Sequence, residues 1–123
     1  MATIIVISGQ QKGEYLPLGK RTNVIGRSES VPLQILDDGV SRTHLRISYD
    51  PASEKYYAED MGSRHGVFVS HHRIKSETVL SEGDQILIGQ TTLLFTDKDF
   101  GDSESALKHY NKVGERAKTT RLE

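Results

Sequence analysis

Apolar residues in this chain come in short bursts of alternating or continuous type, separated by turn residues roughly every eight to twelve positions. That spacing predicts an all-β sandwich or barrel. Ala2–Ile7 is an apolar run broken only by Thr3, the pattern of a strand covered on both faces. Tyr15–Leu18, Thr22–Ile25 and Leu33–Ile35 follow as short strands, each next to a glycine or proline signal. His44–Tyr49 alternates, which places Leu45, Ile47 and Tyr49 on one face and His44, Arg46 and Ser48 on the other. Tyr56–Glu59, Val67–Val69, Arg73–Ile74, Gln85–Ile88 and Thr91–Phe95 complete ten candidate strands, with Gly89-Gln90 as the tight turn of a closing hairpin. Phe68 reads as a strand residue. Tyr56 and Tyr57 are expected to straddle a sheet, one ring in and one out.

The pattern changes at Gly101. Ala106, Leu107, Tyr110, Val113 and Ala117 recur at spacings of three and four, one narrow helical stripe. Asp102 or Ser103 could cap its start, and Gly114 weakens it. The expected organisation is therefore a domain over 1–98 and a linker or partial helix over 99–123. That segment would lead to a neighbouring domain, or begin a connecting coiled coil. The terminal Leu122-Glu123 resembles an expression-vector scar and carries no fold argument.

A length of 123 residues fits one domain. The absence of Cys excludes a disulfide scaffold, a thiolate nucleophile and a thiolate zinc site. The longest apolar run, Ile4–Ile7, is too short to span a membrane, and no signal peptide opens the chain. These features fit a cytoplasmic domain stabilised by its core alone. With 16 Lys and Arg against 17 Asp and Glu, there is no basic surplus for general nucleic-acid binding. No basic stripe with interleaved aromatics appears either.

The candidate chemistry lies in three clusters, all at loops between predicted strands. They are Gly26-Arg27-Ser28, then Ser41-Arg42-Thr43-His44, and then Asp60–Val69 with Gly62-Ser63-Arg64-His65-Gly66 at its centre. Loops on a rigid β scaffold are where binding residues usually sit. Arg27, Ser41, Arg42, Ser63 and Arg64 make a candidate oxyanion site. Arginine offers a planar fork of donors to phosphate oxygens, and serine hydroxyls and glycine-loop N–H groups add neutral donors. Other constellations carry little. His65, His71 and His72 lack a carboxylate spacing that would complete a metal site. Adjacent His71 and His72 would point opposite ways on an extended segment. Asp37-Asp38 and Glu59-Asp60 read as turn and strand-end residues. Ser41 and His44 lack both a nucleophile elbow and a third catalytic member. The chain is expected to have no catalytic residue, no metal and no cofactor.

The order and spacing of these clusters resemble a forkhead-associated (FHA) domain over about residues 3–97. The resemblance rests on Gly26-Arg27 after the third strand, Ser41-Arg42-Thr43-His44, and the Gly62–Gly66 turn followed by Val67-Phe68-Val69. Glu82–Gly89 is similar to the family's closing segment. The resemblance implies an eleven-stranded FHA/SMAD-like β-sandwich that binds a phosphothreonine peptide with the loops of one end. It implies phosphate contacts from Arg27 and Ser41, with help from Arg42, and peptide contacts from Ser63, Arg64 and His65. It makes His44 architectural, bracing the binding loop, gives Gly26 and Gly66 the tight turns, and places Gly62 in the loop architecture with them. Two positions depart from the family pattern: His65 stands where Asn is usual, and Arg64 where a small residue is usual. The implied partner is a phosphothreonine-bearing protein, in cis or in trans, with no nucleic acid and no membrane. The effector would be associated, or fused beyond residue 101, as in bacterial signalling proteins. The alternative is an FHA-like scaffold whose protein–protein contacts do not depend on phosphate.

Overall fold

The computed structural model describes residues 2–97. The expected C-terminal helix and the segment 99–123 lie outside the described residues. The described residues form eleven strands and no helix. Six of them, β1 (Thr3–Val6), β2 (Tyr15–Pro17), β7 (Val67–Val69), β8 (His72–Arg73), β10 (Gln85–Ile88) and β11 (Thr91–Thr96), make one sheet in the order β2-β1-β11-β10-β7-β8. The other five are β3 (Asn23–Gly26), β4 (Leu33–Gln34), β5 (Leu45–Asp50), β6 (Lys55–Asp60) and β9 (Thr78–Val79), in the order β4-β3-β5-β6-β9. All pairings are antiparallel except β3 with β4, which is parallel.

The core lies between the sheets. Ile4, Val6, Ile86, Ile88 and Leu93 from one meet Ile25, Leu45, Ile47 and Ala58 from the other. Each large aliphatic side chain removed from water contributes about 1.5–3 kcal/mol, and this layer is what holds two narrow sheets face to face. Tyr56 ties them as well. Its ring lies 5.0 Å from that of Tyr49 and 5.8 Å from that of Phe95, and its hydroxyl donates to the Gly19 carbonyl at 2.6 Å. Tyr57 is only half-buried, so this pair does straddle the sheet. The apolar run of β1 is buried on both faces. Ile4 and Val6 enter the main core, while Ile5 and Ile7 pack with Leu94 and Tyr15 on the outer face.

Three local features differ from the sequence reading. β9 is a two-residue strand, too short for any periodicity, and exists because Tyr57 and Ala58 of β6 pair with Val79 and Thr78. β5 begins at Leu45, one residue later than expected. His44 therefore escapes the alternation that placed it outward with Arg46 and Ser48, and is fully buried. Finally, the segment at His71-His72 is not extended. Ser70 and His71, with φ of 48° and 72°, form a two-residue turn between paired Val69 and His72. The His72 ring is bonded to the Ser70 carbonyl, and no group of His, Cys, Asp or Glu capable of holding a metal occurs among the described residues.

Candidate functional site

The three clusters meet at one end of the sandwich. The connection after β3 carries Arg27, that between β4 and β5 carries Ser41 and Arg42, and that between β6 and β7 carries Ser63, Arg64 and His65. Backbone bonds join the first two. Arg27 N–H donates to the Ser41 carbonyl at 3.0 Å and Ser28 N–H to the Arg42 carbonyl at 3.2 Å. This approach requires glycine at 26, because a Cβ there would overlap the Arg42 carbonyl oxygen. Gly26 thus acts by close packing rather than by a turn, and its φ lies outside the left-handed region. Gly66 does adopt a left-handed φ of 85°.

Arg27 is exposed, and its Nε donates to the Val40 carbonyl at 3.0 Å. That bond fixes the direction of the guanidinium and leaves both terminal amino groups without a partner among the described residues. Ser41 Oγ accepts the Arg64 N–H at 3.1 Å. The hydroxyl proton is then free to donate outward. The same bond joins the second loop to the third. Ser63 closes its own turn. Its N–H donates to Asp60 at 2.8 Å, and its Oγ accepts the Gly66 N–H at 2.9 Å. The side chains of Arg42, Arg64 and His65 are exposed and make no hydrogen bond among the described residues.

Beneath these loops lies His44. Its Nδ1 accepts the Ser41 N–H at 3.0 Å, and its Nε2 is 2.7 Å from the Gly66 carbonyl. A carbonyl can only accept, so the ring carries its proton on Nε2. One buried ring thereby holds the Ser41 loop to the glycine turn.

Asp37 stands at a turn, as its sequence context predicts, and it does more. Its carboxylate accepts from Gly39 N–H, Gln90 N–H and the Thr91 hydroxyl, each at 2.8 Å, fastening the Ser41 loop to the β10–β11 hairpin. Burial opposes its charge, but these three bonds hold its pKa below the ordinary 3.8. Partial exposure limits the gain, so Asp37→Ala should lower stability by about 1–2 kcal/mol at neutral pH. A carboxyl with a lowered folded pKa contributes fully above its ordinary value and loses that contribution as pH falls through the lowered one. Urea titrations of wild type and variant should therefore differ at pH 7 and converge below pH 3.8. Gln11 is a second tie absent from the sequence reading. Its side chain donates to the Gln34 carbonyl at 2.5 Å and accepts the Leu36 N–H at 2.6 Å.

Fold and loops together define a β-sandwich domain with a basic, hydroxyl-bearing recognition end. A family model described as FHA domain matches residues 23–89, more than half of the chain, and this protein belongs to the FHA family. FhaB, an FHA domain-containing protein of Mycolicibacterium smegmatis, is 29% identical over 90 residues, covering 73% of this chain and 57% of that protein. The chain thus spans little more than half the length of that relative. A solved structure described as an analysis of phosphothreonine-dependent FHA domain interactions aligns with a TM-score of 0.71 at 26% identity, over 80% of this chain and 98% of the other. Mycobacterium tuberculosis EmbR in complex with a low-affinity phosphopeptide aligns with a TM-score of 0.70 at 29% identity, over 80% of this chain and 25% of EmbR.

Proposed function

We propose that this domain is a phosphothreonine-peptide-binding signalling module that docks a phosphorylated partner, or a phosphorylated segment of its own chain, and so regulates a fused or associated effector. One observation carries the reading. Arg27 has two unspent amino groups and Ser41 an unspent hydroxyl proton, on two loops bonded to each other at a single end of the fold. Arg27 and Ser41 take the phosphate, with Arg42 adding charge. Ser63, Arg64 and His65 line the adjoining peptide path. Gly26, His44, Gly62 and Gly66 set the loop geometry. A phosphate dianion matches two guanidinium forks and a hydroxyl, whereas a neutral threonine leaves them to water.

The role is recognition and not catalysis. His44 is the nearest ring to Ser41, but its Nδ1 takes the Ser41 backbone proton and its Nε2 donates to Gly66, so neither nitrogen can accept the hydroxyl proton. No cofactor enters this reading. No helix among the described residues is long and apolar enough to cross a membrane. We place the module in the cytoplasm as part of the same proposal.

Amide spectra recorded during titration with a phosphothreonine peptide test the reading. Shifts should concentrate at residues 26–28, 40–44 and 62–66. Shifts confined to a sheet face, and equal for the unphosphorylated peptide, would favour a phosphate-independent scaffold instead.

A further inference from the structure

The six-stranded sheet has a dry patch on the face turned away from the core. On β1, Ile4 and Val6 enter the core, so Thr3 and Ile5 point outward. Ile5 pairs with Leu94 of β11 on one side and with Tyr15 of β2 on the other. Thr3 pairs with Thr96 and Pro17 in the same way. Paired side chains on neighbouring strands stand about 4.5–5.5 Å apart, so Tyr15, Ile5 and Leu94 form one row across three strands. Ile7 joins the same cluster.

The outer face of an antiparallel sheet commonly stays in water. This one does so only at its margins. Thr3, Ile5 and Thr96 are 0% exposed and Leu94 is 1% exposed, as dry as the core. On β10, beside them, Gln85 and Leu87 are exposed, although they pair with Leu94 and Thr92. Pro17 on β2 is exposed as well. Strand neighbours alone leave the open side of such a side chain wet, so complete burial needs a layer on top. Among the described residues the apolar cluster holds only Ile5, Ile7, Leu94 and half-buried Tyr15, all from the sheet or its edge. The connection from β1 to β2 does not supply the layer. Its Gln11 is tied to the Gln34 carbonyl and the Leu36 N–H, at the edge of the opposite sheet.

We propose that the covering layer is this chain's own segment 106–117, docked with Ala106, Leu107, Tyr110 and Val113 against Ile5 and Leu94. The segment lies outside the described residues, and three arguments select it. The first is position. Leu94 stands two residues before Thr96, where β11 ends, so the chain continues from the border of the patch. The step from Asp97 to Ala106 reaches at most about 30 Å, more than enough to turn back over three strands about 10 Å across. The second is shape. Twelve helical residues are about 18 Å long and present one narrow apolar stripe, with Lys108, His109, Asn111, Lys112, Glu115 and Arg116 left for solvent. So short a helix, weakened by Gly114, needs a tertiary contact to persist, and the patch provides one. The third is area. A patch of about 100–150 Å² suits one short helix and falls far below the roughly 800 Å² per partner of a stable dimer.

The folded unit then runs to about residue 117 instead of 98, and the segment is an internal partner of the sheet instead of a free linker. The patch also shares β11 with the recognition end, where Thr91 of the same strand bonds Asp37 under the Ser41 loop. Any domain that follows would thereby start from a fixed place on the sandwich. This inference stands apart from the phosphopeptide reading.

Two measurements on the full chain test it. The protein has no Cys, so Lys112→Cys gives a single attachment point for a nitroxide label on the polar side of the stripe. The label should broaden the amide signals of β1, β2 and β11 more than those of β5 and β6, at any protein concentration. Separately, Leu107→Asp with Tyr110→Asp should lower the urea midpoint by about 1 M, while Lys112→Glu leaves it unchanged. Uniform or absent broadening would overturn the proposal. So would broadening that appears only between a labelled copy and a separate unlabelled copy, which would put a second molecule on the patch. An unchanged midpoint in Leu107→Asp with Tyr110→Asp would overturn it as well.

Discussion

Arg27→Ala should lower affinity for a phosphothreonine peptide by about 30-fold or more, the cost of truncating one partner of a desolvated, hydrogen-bonded charge pair at 2–5 kcal/mol. The domain should remain folded. The side chain is exposed, and its loss removes a single structural bond, Nε to the Val40 carbonyl, from a surface loop. Such a bond contributes about 0.5–1.5 kcal/mol, a small part of the 5–15 kcal/mol typical of a domain. Arg27→Lys should recover only part of the affinity. It restores a charge but neither the planar fork nor the Nε bond that aims it. Ser41→Ala removes one hydroxyl bond to a charged oxygen, worth about 1.5–3 kcal/mol, and should weaken binding about 10- to 150-fold. The Arg64 N–H that Ser41 accepts faces solvent and turns to water, so stability should change little. Anisotropy titrations with matched urea melts separate the two effects. Loss of binding accompanied by equal loss of stability in both variants would make these side chains structural.

His44→Ala should be the most destabilising substitution at this end of the molecule, by about 3–4 kcal/mol. The ring is fully buried and both nitrogens are engaged. Removing it leaves a cavity and two unpaired backbone groups, the Ser41 N–H and the Gly66 carbonyl. Each orphaned group costs about 1–3 kcal/mol, and the void adds to this. Because the ring joins the Ser41 loop to the glycine turn, affinity should fall with stability. That coupled loss contrasts with the uncoupled loss in Arg27→Ala. A His44→Ala protein with wild-type stability would contradict the role of the ring as a brace.

The parts of the fold that were legible in the sequence are those with strong periodicity. The doubly buried β1, the alternating β5 and the β10–β11 hairpin around Gly89-Gln90 stand where the apolar pattern put them. β9 left no trace, because two residues cannot show a period and its pairing with β6 is a tertiary event. The three loops were legible as clusters of Arg, Ser and Gly. How they are held was not. Alternation put His44 outward, but the strand starts one residue later and the ring turns in. Asp37 looked like any turn aspartate, since its partners Gln90 and Thr91 lie 53 and 54 residues away. Arg73 belonged to no motif. The glycine turn comes to rest on its guanidinium, a contact between loops that no local pattern encodes.

The central claim is that phosphate itself is recognised by Arg27 and Ser41 together. The affinity of the unaltered protein for one phosphothreonine peptide and for its unphosphorylated twin tests it most directly. Three or more charge-assisted bonds at about 1.5–3 kcal/mol each predict that the phosphorylated peptide binds at least about 100-fold more tightly. Equal affinities for the two peptides would contradict the account.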